Sequence, residues 1–249
     1  MPSAYAAIRE IYRATNKPHD FLFNRIVCRP VAAVLVYALR STRITPNQVT
    51  FASLLVALVA LTMMLLWRTH LGLALSALVL ILAFVLDCTD GQLARMRGQT
   101  SSVGAWLDFL MDEIKAVSLV AALAGRLGWM AWEVGQPHRA MLWLGLGMAG
   151  VVVVACGIAL TTFMRRPEYV QYNMSPTAPA VPVQKTSPAH RLLKAVERGG
   201  QWVINYPSWI WLPAVLGHAE WFLIPYLVVM TAHLGYAGLR ILFRLGRFA

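Results

Sequence analysis

The sequence predicts an all-α integral membrane protein, with six transmembrane helices preceded by an N-terminal amphipathic and interfacial segment. Three observations predict it. The 249 residues are 58% hydrophobic and only 13% charged, with a mean hydropathy of +0.58. A soluble domain carries about 45–50% apolar and about 25% charged residues. Apolar runs of about twenty residues recur, each long enough to cross a hydrocarbon core of about 30 Å. These runs are continuous rather than alternating, which selects helices over a β-barrel.

The elements follow in order. Residues 1–22 suit an amphipathic surface helix, with Ile8, Ile11 and Tyr12 on one face and Arg9, Arg13 and Lys17 supplying charge. They are mixed and polar, so no signal peptide is expected. The apolar stretch from Phe23 to Leu39 is short and is interrupted by Arg25, Arg29 and Pro30. It reads as interfacial rather than spanning. Thr45 is placed to cap the first span, with Pro46 at the first helical position, and the span runs to about Trp67. The second span covers about Leu71–Arg95 and the turn is Arg97-Gly98-Gln99. The third covers about Ser101–Gly125 and the fourth about Ala140–Phe163. Residues 165–200 are polar and proline-rich, and read as a loop with one short amphipathic helix at 190–199. The fifth span, about Gln201–Leu216, is short and holds Pro207 and Pro213. The sixth covers about Glu220–Phe243.

Six spans put both termini on one side. With the N-terminus inside, 18 of the 22 Lys and Arg fall on the cytoplasmic side. Basic loops mark the cytoplasmic face, so both termini are expected there. The division is then a cytoplasmic juxtamembrane segment, 1–46, and a six-helix domain, 47–249. The net charge of +11 is read as loops facing anionic lipid, not as a nucleic-acid surface. Cys28, Cys88 and Cys156 form no disulfide framework and no metal spacing. No Walker loop and no internal repeat is present.

Four carboxylates lie in or against these apolar stretches: Asp87, Asp90, Asp108 and Asp112. Carboxylates at membrane depth are costly, and a functional site is the default reading. Asp87 and Asp90 are three apart, with Gly91 and Ala94 following on the same face. Gly104, Asp108 and Asp112 are each four apart and form one stripe on the next helix. Clustered carboxylates repel unless a cation neutralises them, and hard divalent ions with oxygen ligands, Mg²⁺ or Mn²⁺, are the natural partners. Gly91 and Gly104 leave room for a bulky group to approach backbone, and the fork of Arg95 suits phosphate oxygens. The sum points to metal-assisted phosphoryl transfer. A transport or proton-relay path would also explain the acids, but not the glycines, Ala94 and Arg95 at fixed offsets.

This pattern, Asp87-Cys-Thr-Asp90-Gly91-Gln-Leu-Ala94-Arg95, then Gly104, Asp108 and Asp112, resembles the signature of the CDP-alcohol phosphotransferase family at every fixed position. The Thr45-Pro46-Asn47…Thr50 element resembles what precedes the first span in many members. The resemblance implies transfer of a phosphoalcohol group from a CDP-alcohol to an acceptor hydroxyl, with release of CMP. It further implies that Asp87, Asp90, Asp108 and Asp112 hold one or two ions, with Asp112 also the general base. Gly91, Ala94 and Gly104 would admit the nucleotide, Arg95 would contact the pyrophosphate, and Asn47 and Thr50 would close over it. A homodimer in a bacterial-type cytoplasmic membrane, with its site facing the cytoplasm, is the expected setting.

Two polarities remain open. CDP-diacylglycerol could meet a small polar alcohol, the preferred reading. Alternatively, a CDP-linked head group of choline, ethanolamine or inositol type could meet a lipid hydroxyl. Lys115 either binds an acceptor phosphate or pairs with an acid. Arg165 and Arg166 either anchor topology or bind the acceptor. The cross-class alternative is a non-catalytic transporter or lipid-binding scaffold.

Overall fold

The computed structural model describes residues 4–15, 20–174 and 198–245, and among them every regular element is helical. Helix α1 is Ala4–Thr15 and α2 is Arg29–Leu39, the latter entered through a π-helical turn at Asn24–Cys28. Then come α3 (Pro46–Leu66), α4 (His70–Met96), α5 (Ser102–Glu133), α6 (Pro137–Met164) and α7 (Pro167–Met174). Helix α8 is described over 198–204, followed by a 3₁₀ turn at Tyr206–Ser208, α9 (Trp211–Leu216) and α10 (Glu220–Leu245).

Four helices, α3, α4, α6 and α10, are long and apolar enough to cross a membrane. The third expected span falls on α5, which continues past Gly125 to Glu133. At 32 residues α5 has the length and carries Asp108, Asp112, Glu113, Lys115, Arg126 and Glu133 along it; it is not among the four. The fifth expected span is not one continuous helix. Pro207 lacks an N–H, and the chain breaks into α8, the 3₁₀ turn and the six-residue α9. The segment after α6 is not all loop, because Pro167 at the first position and Glu168 in the first turn favour a helical start at α7. Most of the expected helix at 190–199 lies outside the described residues.

Local chemistry sets the ends that matter for the site. Thr45 and Gln48 close a reciprocal capping box at the start of α3. Gly98, at φ +64°, ends α4 in the left-handed conformation, and Gln99 N–H returns to Ala94 O at 2.8 Å. Ser101 Oγ accepts from Gly104 N–H at 3.0 Å and restarts the chain as α5. The tight α4–α5 turn thus brings the two acid-bearing helices together at one end.

The main core is built from α3, α4, α5, α6, α9 and α10, with Ala57, Ala60, Ala77, Ala83 and Ala124 letting backbones approach closely. Ser53 Oγ donates to Ala83 O at 3.0 Å across α3 and α4. At the far end of α5, Arg126 is buried and donates to the carbonyls of Met64, Trp67, Arg68 and Thr69. These are carbonyls released where α3 ends. At the site end, Ile11 of α1 packs with Ala33, Val36, Val49 and Leu93, so the apolar face of α1 is covered by the protein's own helices.

Candidate functional site

Asp87 and Asp90 lie on consecutive turns of α4, and Asp108 lies in the second turn of α5. The fold brings one oxygen of each to within 4.8 Å of the others. Asp90 is 5% exposed, and its Oδ2 is buried with no partner among the described residues. A buried carboxylate oxygen in that state is costly unless a cation takes it up. Three carboxylates with no softer donor fit a hard divalent ion, and Asp87, Asp90 and Asp108 are the residues that could hold one.

Asp112 is not part of that trio. It lines the same cavity, and its Oδ1 accepts from Lys115 Nζ at 3.1 Å. Lys115, only 2% exposed, donates a second bond to Asp87 Oδ1. One buried ammonium therefore joins the acid trio to the remaining carboxylate, with the Asp112 side chain half exposed. Of the two readings of Lys115, the structure shows the pairing with acids.

The cavity measures about 430 Å³ and is walled by α4 and α5 together with the segment before α2. Gly91 lies under the Arg95 side chain. A Cβ there would sit 3.4 Å from Arg95 Nη1, so the guanidinium folds back over a surface kept low. Arg95 Nε donates to Thr15 O at 3.2 Å, at the end of α1. Gly104 is the third residue of α5, where a Cβ would meet the capping Ser101 Oγ at 3.1 Å and Asn47 Oδ1 at 3.7 Å. Asn47 therefore stands beside Gly104, exposed, at the start of α3. Thr50 is buried one turn later, its hydroxyl donating to Pro46 O. Ala94 is half-buried on α4. Arg165 and Arg166 are exposed and do not line the cavity; Arg165 lies over the Phe109 ring at 4.3 Å.

The sequence reading missed the cavity's other wall. Asp20, Asn24 and Arg29 reach it from before and at the start of α2, and Asn205 reaches it from the break between α8 and α9. Arg29 Nε donates to Asp20 Oδ2 at 2.8 Å, and Asn24 Nδ2 donates to Asp20 Oδ1 at 3.0 Å. Burial pushes the Asp20 carboxyl up, but the bonds from Arg29 and Asn24 outweigh it and hold the group below its ordinary range. The available signal was Arg29 itself, an arginine inside an apolar stretch.

Residues 43–196, more than half of the chain, match the family model described as CDP-alcohol phosphatidyltransferase. The chain is 33% identical over 102 residues to the bifunctional IPC transferase and DIPP synthase of Thermococcus kodakarensis, covering 41% of this chain and 21% of that protein. It is 28% identical over 132 residues to the protein of the same name from Aquifex aeolicus, covering 53% and 27%. It is 34% identical over 93 residues to the archaetidylinositol phosphate synthase of Pyrococcus horikoshii, covering 36% and 47%. The chain spans less than half the length of these curated relatives.

Proposed function

This chain belongs to the CDP-alcohol phosphatidyltransferase family, and on that premise we propose that it is a membrane phosphotransferase of phospholipid synthesis. The observation that carries the reading is the convergence of Asp87, Asp90 and Asp108 around the unpartnered Asp90 Oδ2. In the reaction, the acceptor oxygen bonds to the phosphorus that carries the donor alcohol. The bond from that phosphorus to the bridging oxygen breaks, and CMP leaves. Asp87, Asp90 and Asp108 would hold one or two Mg²⁺ or Mn²⁺ ions, which supply charge neutralisation at the pyrophosphate. Asp112, half exposed to the cavity and oriented by Lys115, takes the acceptor's proton as general base. Gly91, Ala94 and Gly104 leave space for cytidine and ribose, Arg95 binds a pyrophosphate oxygen, and Asn47 and Thr50 border the nucleotide.

The preferred polarity is a lipid-bearing CDP donor such as CDP-diacylglycerol and a small polar acceptor. The similarity to a protein named archaetidylinositol phosphate synthase favours a polyol head group. The reverse polarity is favoured by Glu113, an acid beside Asp112 where a base would help bind a phosphorylated acceptor.

We place the site at the cytoplasmic face because the Lys and Arg bias runs that way. α5 and the broken 198–216 segment complete six crossings, and two copies pair as a homodimer. In a cysteine-free background, Gln99→Cys should be labelled only from the cytoplasm and Gln136→Cys only from outside. The deciding experiment offers the purified chain a panel of CDP-alcohols and acceptors with Mg²⁺ or Mn²⁺, measures CMP and identifies the lipid product by mass spectrometry. If CMP appears with no pair, the transporter or scaffold reading replaces this one.

A further inference from the structure

Arg29 is contributed by α2, outside the helices that carry the acid pattern, yet it lines the same cavity. It is 6% exposed, and its position is heavily fixed. Its Nε is held by Asp20, which is itself held by Asn24 Nδ2 and by Phe21 N–H at 2.9 Å. Its carbonyl accepts from Gln92 Nε2 at 3.2 Å, which pins the start of α2 to α4 two residues after Asp90. With Nε taken, the two terminal nitrogens of the fork remain, and no described residue accepts from them.

Arg95 shows the same surplus. Its Nε is used on Thr15 O, while its Nη2 is buried without a partner. The two guanidiniums repel each other. One buried and one half-buried guanidinium with unused donors, brought to one cavity against their own repulsion, match an anion that offers several oxygens. Asp20 does not answer that need, because it engages Arg29 through Nε alone.

We propose that Arg29 is a further phosphoryl-binding residue, acting beside the Arg95 already assigned to the pyrophosphate and outside the Asp87–Asp90–Asp108 trio, and that it determines specificity for a substrate phosphate. The proposal rests on the phosphotransferase reading above. Two sources share this chemistry: the diphosphate of the donor, and a phosphate carried by the acceptor alcohol.

The test uses the full chain in lipid nanodiscs with Mg²⁺. Binding of CDP and CMP, and of inositol phosphate and free inositol, is measured for the wild type, Arg29→Met and Arg29→Lys. Loss of a charge-assisted bond predicts weakening of about tenfold or more. Weaker CDP binding with CMP unaffected identifies the donor's outer phosphate. Weaker inositol phosphate binding with inositol unaffected identifies the acceptor's phosphate. Partial recovery in Arg29→Lys is expected in either case. If Arg29→Met does not fold, the Asp20→Asn/Arg29→Met double variant removes both charges and is measured instead. A folded variant that binds CDP and inositol phosphate as the wild type does overturns this role for Arg29. CMP release by the wild type is followed in parallel. Its absence sinks the transferase reading, while the binding comparison still judges Arg29.

Discussion

Lys115 Nζ donates to Asp112 Oδ1 at 3.1 Å, one turn back along α5. The same ammonium bonds Asp87 on α4, so two carboxylates with different proposed roles share one buried counter-charge. Lys115→Met removes that charge and leaves the acids facing each other. Breaking a buried pair costs about 3–5 kcal/mol. The expected result is a lower unfolding temperature and a turnover loss beyond what unfolding explains, with Lys115→Arg intermediate. Thermal unfolding and CMP release, measured on the same samples, check this. Full turnover in a folded Lys115→Met protein would show that Lys115 does not orient Asp112.

The acid trio makes a separate prediction about cations. Chelation should abolish CMP release, and added Mg²⁺ or Mn²⁺ should restore it. Asp90→Asn and Asp108→Asn should each weaken Mn²⁺ binding, read by electron paramagnetic resonance, and leave the helical content unchanged. Asp90→Asn should also relieve the cost of crowding a buried, unpartnered carboxyl against Asp87 and Asp108, and raise stability in the absence of metal. Unchanged Mn²⁺ affinity in both variants would remove the trio as the cation site.

Much of this site was legible in the sequence because its parts are local. The three-residue and four-residue spacings place acids on one helical face whatever the surroundings, and the Thr45 cap, the Gly98 turn and the Ser101 restart are short-range chemistry. Arg29 left a local trace, an arginine in an apolar stretch, but it, Asp20 and Asn205 arrive from distant parts of the chain, and only the fold shows that they share a cavity. Arg126 counted in the sequence only as a basic residue beyond the third span, and its role was hidden for a related reason. An arginine in an apolar stretch shows a need for acceptors, but only the folded chain shows that the end of α3 supplies four carbonyls. The broken 198–216 segment shows the limit of run length as a guide. Its apolar residues suit a membrane, while Pro207 divides the backbone.

Asp20 links stability to pH. Its folded pKa lies below the unfolded value of about 3.9. The unfolded chain therefore takes up the proton first as pH falls. The contribution from Asp20 is fully present above that unfolded value and is lost as pH drops through the folded one. Unfolding temperature measured from pH 7 to pH 3 should fall at the acid end. Asp20→Asn should lower stability at pH 7 and flatten that fall. An identical slope in the variant would show that Asp20 does not contribute to it.

Two glycines separate room for a ligand from room for a helix. At Gly91 a Cβ would meet only the flexible end of Arg95, at 3.4 Å. Alanine there gains about 1 kcal/mol of helix propensity. Gly91→Ala should therefore hold or raise the unfolding temperature, while shifting Arg95 and raising the KM for the CDP-alcohol by about tenfold, the loss of one charge-assisted bond. At Gly147 of α6 a Cβ would overlap Ala124 Cβ of α5, an atom fixed to backbone that cannot swing aside. Overpacking of that kind costs about 1–3 kcal/mol. Gly147→Ala should lower the unfolding temperature and leave the KM unchanged below the transition. The two variants move opposite readouts. A Gly91→Ala protein with normal KM would place the nucleotide away from the face of α4 that Arg95 covers.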